Sequence, residues 1–122
     1  MAWESTDLDI ATEARFRALA KSGYRIEVLC LEAAKKKGPT YYGLWVMRAV
    51  SEEGDQKRLV TARTRKTNND IKIREFKTAA GVISFLAGLG LDCAKIPLHE
   101  GKHARHKLEP AAGVSAADDL TG

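Results

Sequence analysis

From Tyr24 onward the chain alternates. Tyr24, Ile26, Val28 and Cys30 fall on one parity and Arg25, Glu27 and Leu29 on the other, a period of two that predicts a strand over 24–30. Lys35-Lys36-Lys37-Gly38-Pro39 then breaks the pattern and predicts an exposed loop. From Tyr41 to Val50 both parities are mainly apolar or aromatic: Tyr41, Gly43, Trp45 and Met47 on one, Tyr42, Leu44, Val46 and Val50 on the other, with Arg48 the exception. That predicts a central strand with both faces at least partly covered. After the polar turn at 51–55, a third strand is expected over 57–66. Asn68-Asn69-Asp70 turn it into a fourth over 71–76, since Asn and Asp tolerate positive φ and bond their own backbone.

Helical spacing brackets these strands. Leu8, Thr12, Phe16 and Leu19 predict a helix over 7–21, with Ser5 or Thr6 as cap, Asp7 and Asp9 at its positive end, and Lys21-Ser22-Gly23 as a stop. Thr78 predicts the cap of a second helix over 79–89, whose apolar face carries Val82, Ile83, Phe85, Leu86 and Leu89 and which Gly90 ends. Ala94 to Leu98 reads as a short extended piece limited by Pro97. The expected fold is α+β: an N-terminal helix, a four-stranded antiparallel meander and a second helix, with the helices covering one face of the sheet. One domain spans 1–98. Residues 99–122 read as a basic, histidine-bearing arm followed by a disordered tail rich in Ala, Gly, Ser and Asp.

Composition narrows the class. The chain has 122 residues, 44% of them hydrophobic, which suffices for one ordinary core without staples. The longest apolar run, Val82 to Leu91, is far shorter than the ~20 residues a spanning helix needs. The acidic start lacks the basic and apolar regions of a signal peptide, so a cytoplasmic location is expected. Cys30 and Cys93 sit in apolar surroundings and read as small buried thiols, with neither Cys-x-x-Cys nor zinc spacing.

The net charge of +4 is modest, but it is segregated. Residues 57–77 hold eight Lys or Arg against two acids, while residues 1–13 hold four acids and no base. On the expected hairpin, Thr61, Arg63 and Arg65 share one face and Lys72 and Arg74 another. Brought together, these cations repel unless water or anions neutralise them. Two readings fit: a solvated face kept charged for solubility, and a phosphate-binding surface. The use of Arg at three of these positions weighs toward the second. Tyr41, Tyr42 and Trp45 either fill the core or form a stacking platform for bases. His99, His103 and His106, spaced four and three with Cys93 as a conceivable neighbour, are embedded among Lys102, Arg105 and Lys107. A basic arm explains them better than a metal site, and no metal or cofactor is expected. No phosphate-cradling loop, dinucleotide fingerprint or nucleophile motif is present, so no enzyme is expected.

The stretches Gly43-Leu44-Trp45-Val46, Leu59-Val60-Thr61-Ala62-Arg63, Arg74-Glu75-Phe76-Lys77-Thr78 and Ile96-Pro97-Leu98-His99-Glu100-Gly101 resemble small bacterial plasmid replication/partition-related proteins of the ParC-type, partition-associated kind. The resemblance runs from about Ala18 to His106. It implies a cytoplasmic accessory of plasmid maintenance and supplies no functional residues. In outline, a four-stranded meander followed by a helix is also similar to single-strand-binding folds of the transcriptional-coactivator and Whirly type, which begin without a helix. The expected function is therefore a non-enzymatic accessory that binds nucleic acid, DNA above all, through Arg63, Arg65, Lys72 and Arg74, with Lys102, Arg105 and Lys107 adding charge. The alternative is a protein-interaction or dimerisation module that docks a partition protein through an edge strand or the apolar helix pair.

Overall fold

The computed structural model describes residues 9–62 and 71–108. Among the described residues nine elements follow one another: β1 (Ile10–Ala11), α1 (Glu13–Lys21), β2 (Arg25–Lys37), β3 (Thr40–Val50), β4 (Gln56–Ala62), β5 (Ile71–Ile73), β6 (Phe76–Thr78), α2 (Ala79–Leu89) and β7 (His103–His106). The architecture is α+β, with two helices on a mixed sheet of seven strands in the order β1-β4-β3-β2-β7, β5 joining β4 and β6 joining β3. The expected four antiparallel strands are thus too few, and one pairing, β1 with β4, is parallel. A two-residue strand held by the Arg58 amide on the Asp9 carbonyl, 2.8 Å, has no periodicity to read. The expected strand over 71–76 divides: the ladder on β4 ends with the Arg74 amide on the Leu59 carbonyl at 3.0 Å, and the chain then changes partner, β6 pairing with β3.

The helix ends follow local chemistry. Thr78 Oγ1 accepts the Gly81 amide at 3.0 Å and Gly90 closes α2 at φ +101°, both as expected. The first helix begins only at Glu13, because Ile10 and Ala11 are drawn into the sheet. The part of its expected span before residue 9 lies outside the described residues, as do the tail from 109 onward and the end of the third expected strand.

The largest departure is the β2–β3 hairpin. The expected loop at Lys35–Pro39 is strand up to Lys37, and only Gly38 and Pro39 turn. Gly38 has φ +63° at the first central position of a two-residue hairpin turn, where L side chains are strained and glycine is at ease. Strand-forming Thr40, Tyr41 and Tyr42 supply the ladder partners, and lysine on a strand near solvent is tolerated because it discourages unwanted pairing.

Period two then sorts the sheet's faces. Ile26, Val28 and Cys30 of β2 and Trp45, Met47 and Ala49 of β3 pack with Phe16 and Leu19 of α1 and Val82, Phe85, Leu86 and Leu89 of α2 into one core. Phe16 and Phe85 lie 6.0 Å apart between the two helices, and Arg17 Nη1 donates to the Gly88 carbonyl at 2.8 Å. Trp45 is wholly buried and its indole N–H donates to the Pro97 carbonyl at 2.8 Å, pinning the irregular segment before β7. Among the described residues no helix is long and apolar enough to cross a membrane.

Candidate nucleic-acid interface

Both helices use one face of the sheet, so the other is left to side chains of opposite parity. Direct cross-strand partners share a face. The registers Arg58↔Arg48, Arg48↔Glu27 and Glu27↔Arg105 therefore lay one row of side chains across β4, β3, β2 and β7. Three of its four members are arginines. Arg25, two residues from Glu27, adds a fourth on the same face.

Glu27 organises this row. Its side chain is almost fully buried. Arg48 brings Nη2 to 2.8 Å and Nε to 2.9 Å from Glu27 Oε1, while Arg105 Nε and Arg25 Nη2 stand 3.5 and 3.6 Å from Oε2. Burial pushes the Glu27 carboxyl upward, but the hydrogen bond and charge of Arg48, with the charges of His103 and Arg105, outweigh it and hold the group below the ordinary glutamate value. Three guanidinium groups thus share one carboxylate. Arg48 spends a further N–H on Gln56 Oε1 at 3.3 Å. Arg58 makes no ion pair among the described residues, and the buried Arg25 Nε has no hydrogen-bond partner among them.

Beside the row lies a groove of about 340 Å³ lined by Leu29, Leu31, Val46, Met47 and Ile73 together with Arg48, Arg58 and Glu75. Leu31 and Ile73 are 40% and 37% exposed, unusual for such side chains on a sheet.

The residues expected to bind nucleic acid scatter. Arg63 and Arg65 lie outside the described residues. Lys72 is exposed on β5 opposite Thr61. Arg74 does not join it: its guanidinium lies 4.9 Å over the Phe76 ring and 5.4 Å over Phe85, and Nη1 reaches Glu13 Oε1 at 3.3 Å, so it clamps α1 to the sheet. Residues 99–108, expected as an arm, belong to the domain. The Cys30 amide donates to the Lys102 carbonyl at 2.9 Å, the Gly101 amide donates to the Cys30 carbonyl at 2.8 Å, and β7 extends the ladder on β2. Arg105 is thereby fixed in the row, Lys107 Nζ stands 3.4 Å from Glu52 Oε2, and Lys102 is exposed. Of the three aromatics, Tyr41 and Tyr42 are half exposed, whereas Trp45, buried and hydrogen-bonded, is no stacking residue.

The histidines separate likewise. His106 is buried, accepts the Lys95 amide on Nε2 at 2.8 Å and places Nδ1 3.2 Å from the Ile26 carbonyl. An acceptor at Nε2 and a donor at Nδ1 define the neutral tautomer. Burial lowers its pKa and the Lys95 charge adds to that, against the opposing bond to Ile26. His99 and His103 are exposed, and among the described residues no group of three His, Cys, Asp or Glu gathers to hold a metal. Cys30 is buried as expected, with its thiol pKa raised by burial and then by the Glu100 charge; Cys93, contrary to expectation, is exposed.

The residues that sequence reasoning passed over are Arg25, Glu27, Arg48 and Arg58. The signal was present at two of them: a glutamate inside a strand and an arginine inside an otherwise apolar parity set. The register that makes them neighbours was not. Comparison with protein families, curated proteins and solved structures returns no match to this chain.

Proposed function

We propose that the protein is a non-enzymatic accessory of plasmid or mobile-element maintenance that binds nucleic acid through the bare face of its sheet. The observation that supports this reading is the row Arg58, Arg48, Glu27 and Arg105 with Arg25 beside it. A sheet held together only by its core has no need of three arginines around one carboxylate and a fourth, Arg58, beside them on the face opposite the helices. Surplus guanidinium groups in a fixed lattice suit the phosphates of a nucleic acid backbone, which they grip in bidentate fashion. The exposed Lys72 and Lys102 extend the field.

Fluorescence anisotropy of labelled single- and double-stranded DNA at about 50 and 200 mM salt tests it, because phosphate contacts release counterions. Tight binding that collapses at the higher salt is expected, and Arg58→Gln with Arg105→Gln should flatten the dependence by about two contacts. An absence of binding at the lower salt would sink the reading.

The groove of Leu29, Leu31, Val46 and Ile73 favours a second reading, a docking face for a partner protein or a second copy of the chain. In that case the arginines steer and the leucines anchor. Leu31→Asp would then abolish a complex that added salt only weakens.

A further inference from the structure

We infer that the projecting end of the β2–β3 hairpin is a ribbon that enters the major groove of duplex DNA, with Lys35, Lys36 and Lys37 on the phosphates and Tyr41 and Tyr42 against the bases. The inference rests on the nucleic-acid reading and extends it to a second surface and to the form of the nucleic acid.

The register places Lys35 opposite Tyr42, Lys36 opposite Tyr41 and Lys37 opposite Thr40. One strand of the ribbon is cationic and the other aromatic. All three lysines are exposed, and both tyrosines are nearly half exposed. Elsewhere the fold pairs cations where it uses them for structure: Arg17 and Arg74 on Glu13, Arg48 on Glu27, Lys57 on Asp9, Lys107 on Glu52. Lys35, Lys36 and Lys37 make no ion pair among the described residues, although Glu32 and Glu100 line the hollow next to Lys35 and Tyr42. Three adjacent, unneutralised lysines are a standing repulsion that an anion relieves.

Successive cross-strand pairs point to opposite sides of a ribbon. Lys36 with Tyr41 therefore faces one way and Lys35 with Tyr42 the other. A platform for a single strand would gather its rings on one side. Two sides that each carry a cation and a ring suit a channel with phosphates on both walls. β6 flanks the hairpin as far as Tyr42, paired with Thr78, and beyond it Lys36–Lys37 and Thr40–Tyr41 form a ribbon of two strands alone; about 4.8 Å apart plus side chains, these fit the major groove of roughly 12 Å. The tight Gly38-Pro39 turn keeps the leading end narrow.

Two full-length variants test this. In the first, Lys35→Gln, Lys36→Gln and Lys37→Gln are combined. Duplex affinity should fall at least tenfold at low salt and the salt slope by about two to three, as expected for that many lost phosphate contacts. In the second, a photo-crosslinking benzoylphenylalanine replaces Tyr41, with the same residue at exposed Glu53, on the β3–β4 turn, as control. Crosslinks to labelled duplex are expected from position 41 and none from 53. If the unmodified protein binds DNA but the triple variant keeps its slope and position 41 gives no crosslink, the ribbon inference is overturned while the nucleic-acid reading stands. If the unmodified protein binds no DNA, both fall. Crosslinking of single strands in preference to duplex overturns the groove assignment.

Discussion

Arg48 stands directly across the β2–β3 ladder from Glu27 and places Nη2 2.8 Å from its Oε1, on the face of the sheet that the helices leave bare. The carboxylate is buried while the guanidinium remains one-third exposed. The pair couples stability to charge: Glu27 both anchors the row and subtracts from its positive field.

Glu27→Gln should therefore move two properties in opposite directions. Removing the charge leaves Arg48, Arg25 and Arg105 without their counterion and costs about 1–3 kcal/mol, below the ~3–5 kcal/mol of a fully buried pair because the arginines are partly solvated. The same change raises the positive field, so DNA affinity should rise in the folded variant. Urea unfolding and anisotropy measure the two; loss of affinity in a folded variant would contradict the proposed interface.

Acid should weaken the fold in two stages. His106 has a lowered pKa, so its contribution is complete above the ordinary histidine value and fades as pH falls through the lowered one. Glu27 and Glu13 also titrate low, Glu27 for the reasons above and Glu13 chiefly through its hydrogen bond from Arg17. Their contribution is complete above the ordinary glutamate value and is lost as pH falls further. Unfolding free energy against pH should lose its upper stage in His106→Asn and keep the lower one. An unchanged profile in that variant would refute the tautomer described here.

Trp45→Phe removes the donor from the Pro97 carbonyl and leaves space in the core. The expected loss is about 2–4 kcal/mol, combining an unmet buried acceptor with a cavity. In a Trp3→Phe background, Trp45 emission should stay blue-shifted and unquenched when DNA is added. Quenching would restore it as a stacking residue.

Gly43→Ala tests how that indole fits. A methyl group there would lie 2.8 Å from Trp45 Cη2 and 3.0 Å from the Glu32 carbonyl oxygen, too close for either. About 1–3 kcal/mol of destabilisation is expected from overpacking. Thr78→Ala, which removes only the cap on α2, should cost about 1 kcal/mol. Thermal melts that rank the cap above the glycine would mean the ring can shift.

Arg74→Gln separates packing from binding. It breaks the contact with Glu13 and the approach to Phe76 and Phe85, so the melting temperature should fall. The salt slope of DNA binding should not change. A slope reduced by about one would return Arg74 to the binding surface.

Local chemistry was enough for much of this protein. The α+β class, the second helix with its Thr78 cap and Gly90 stop, the alternating strands before and after the lysine run, and Phe16, Leu19, Ile26, Val28 and Val82 as core all follow from periodicity and capping within a few residues of chain. Tertiary structure decided whatever depends on register. Glu27, Arg48, Arg58 and Arg105 are far apart in sequence and become one row only when three ladders align them. Arg74, two residues from Lys72, leaves the hairpin surface because Phe76, Phe85 and Glu13 offer it a better place. The parallel β1, the edge strand β7 and the continuation of β2 through three lysines were hidden for the same reason. Each is held by hydrogen bonds to a neighbouring strand, and a backbone hydrogen bond leaves no mark on side-chain sequence.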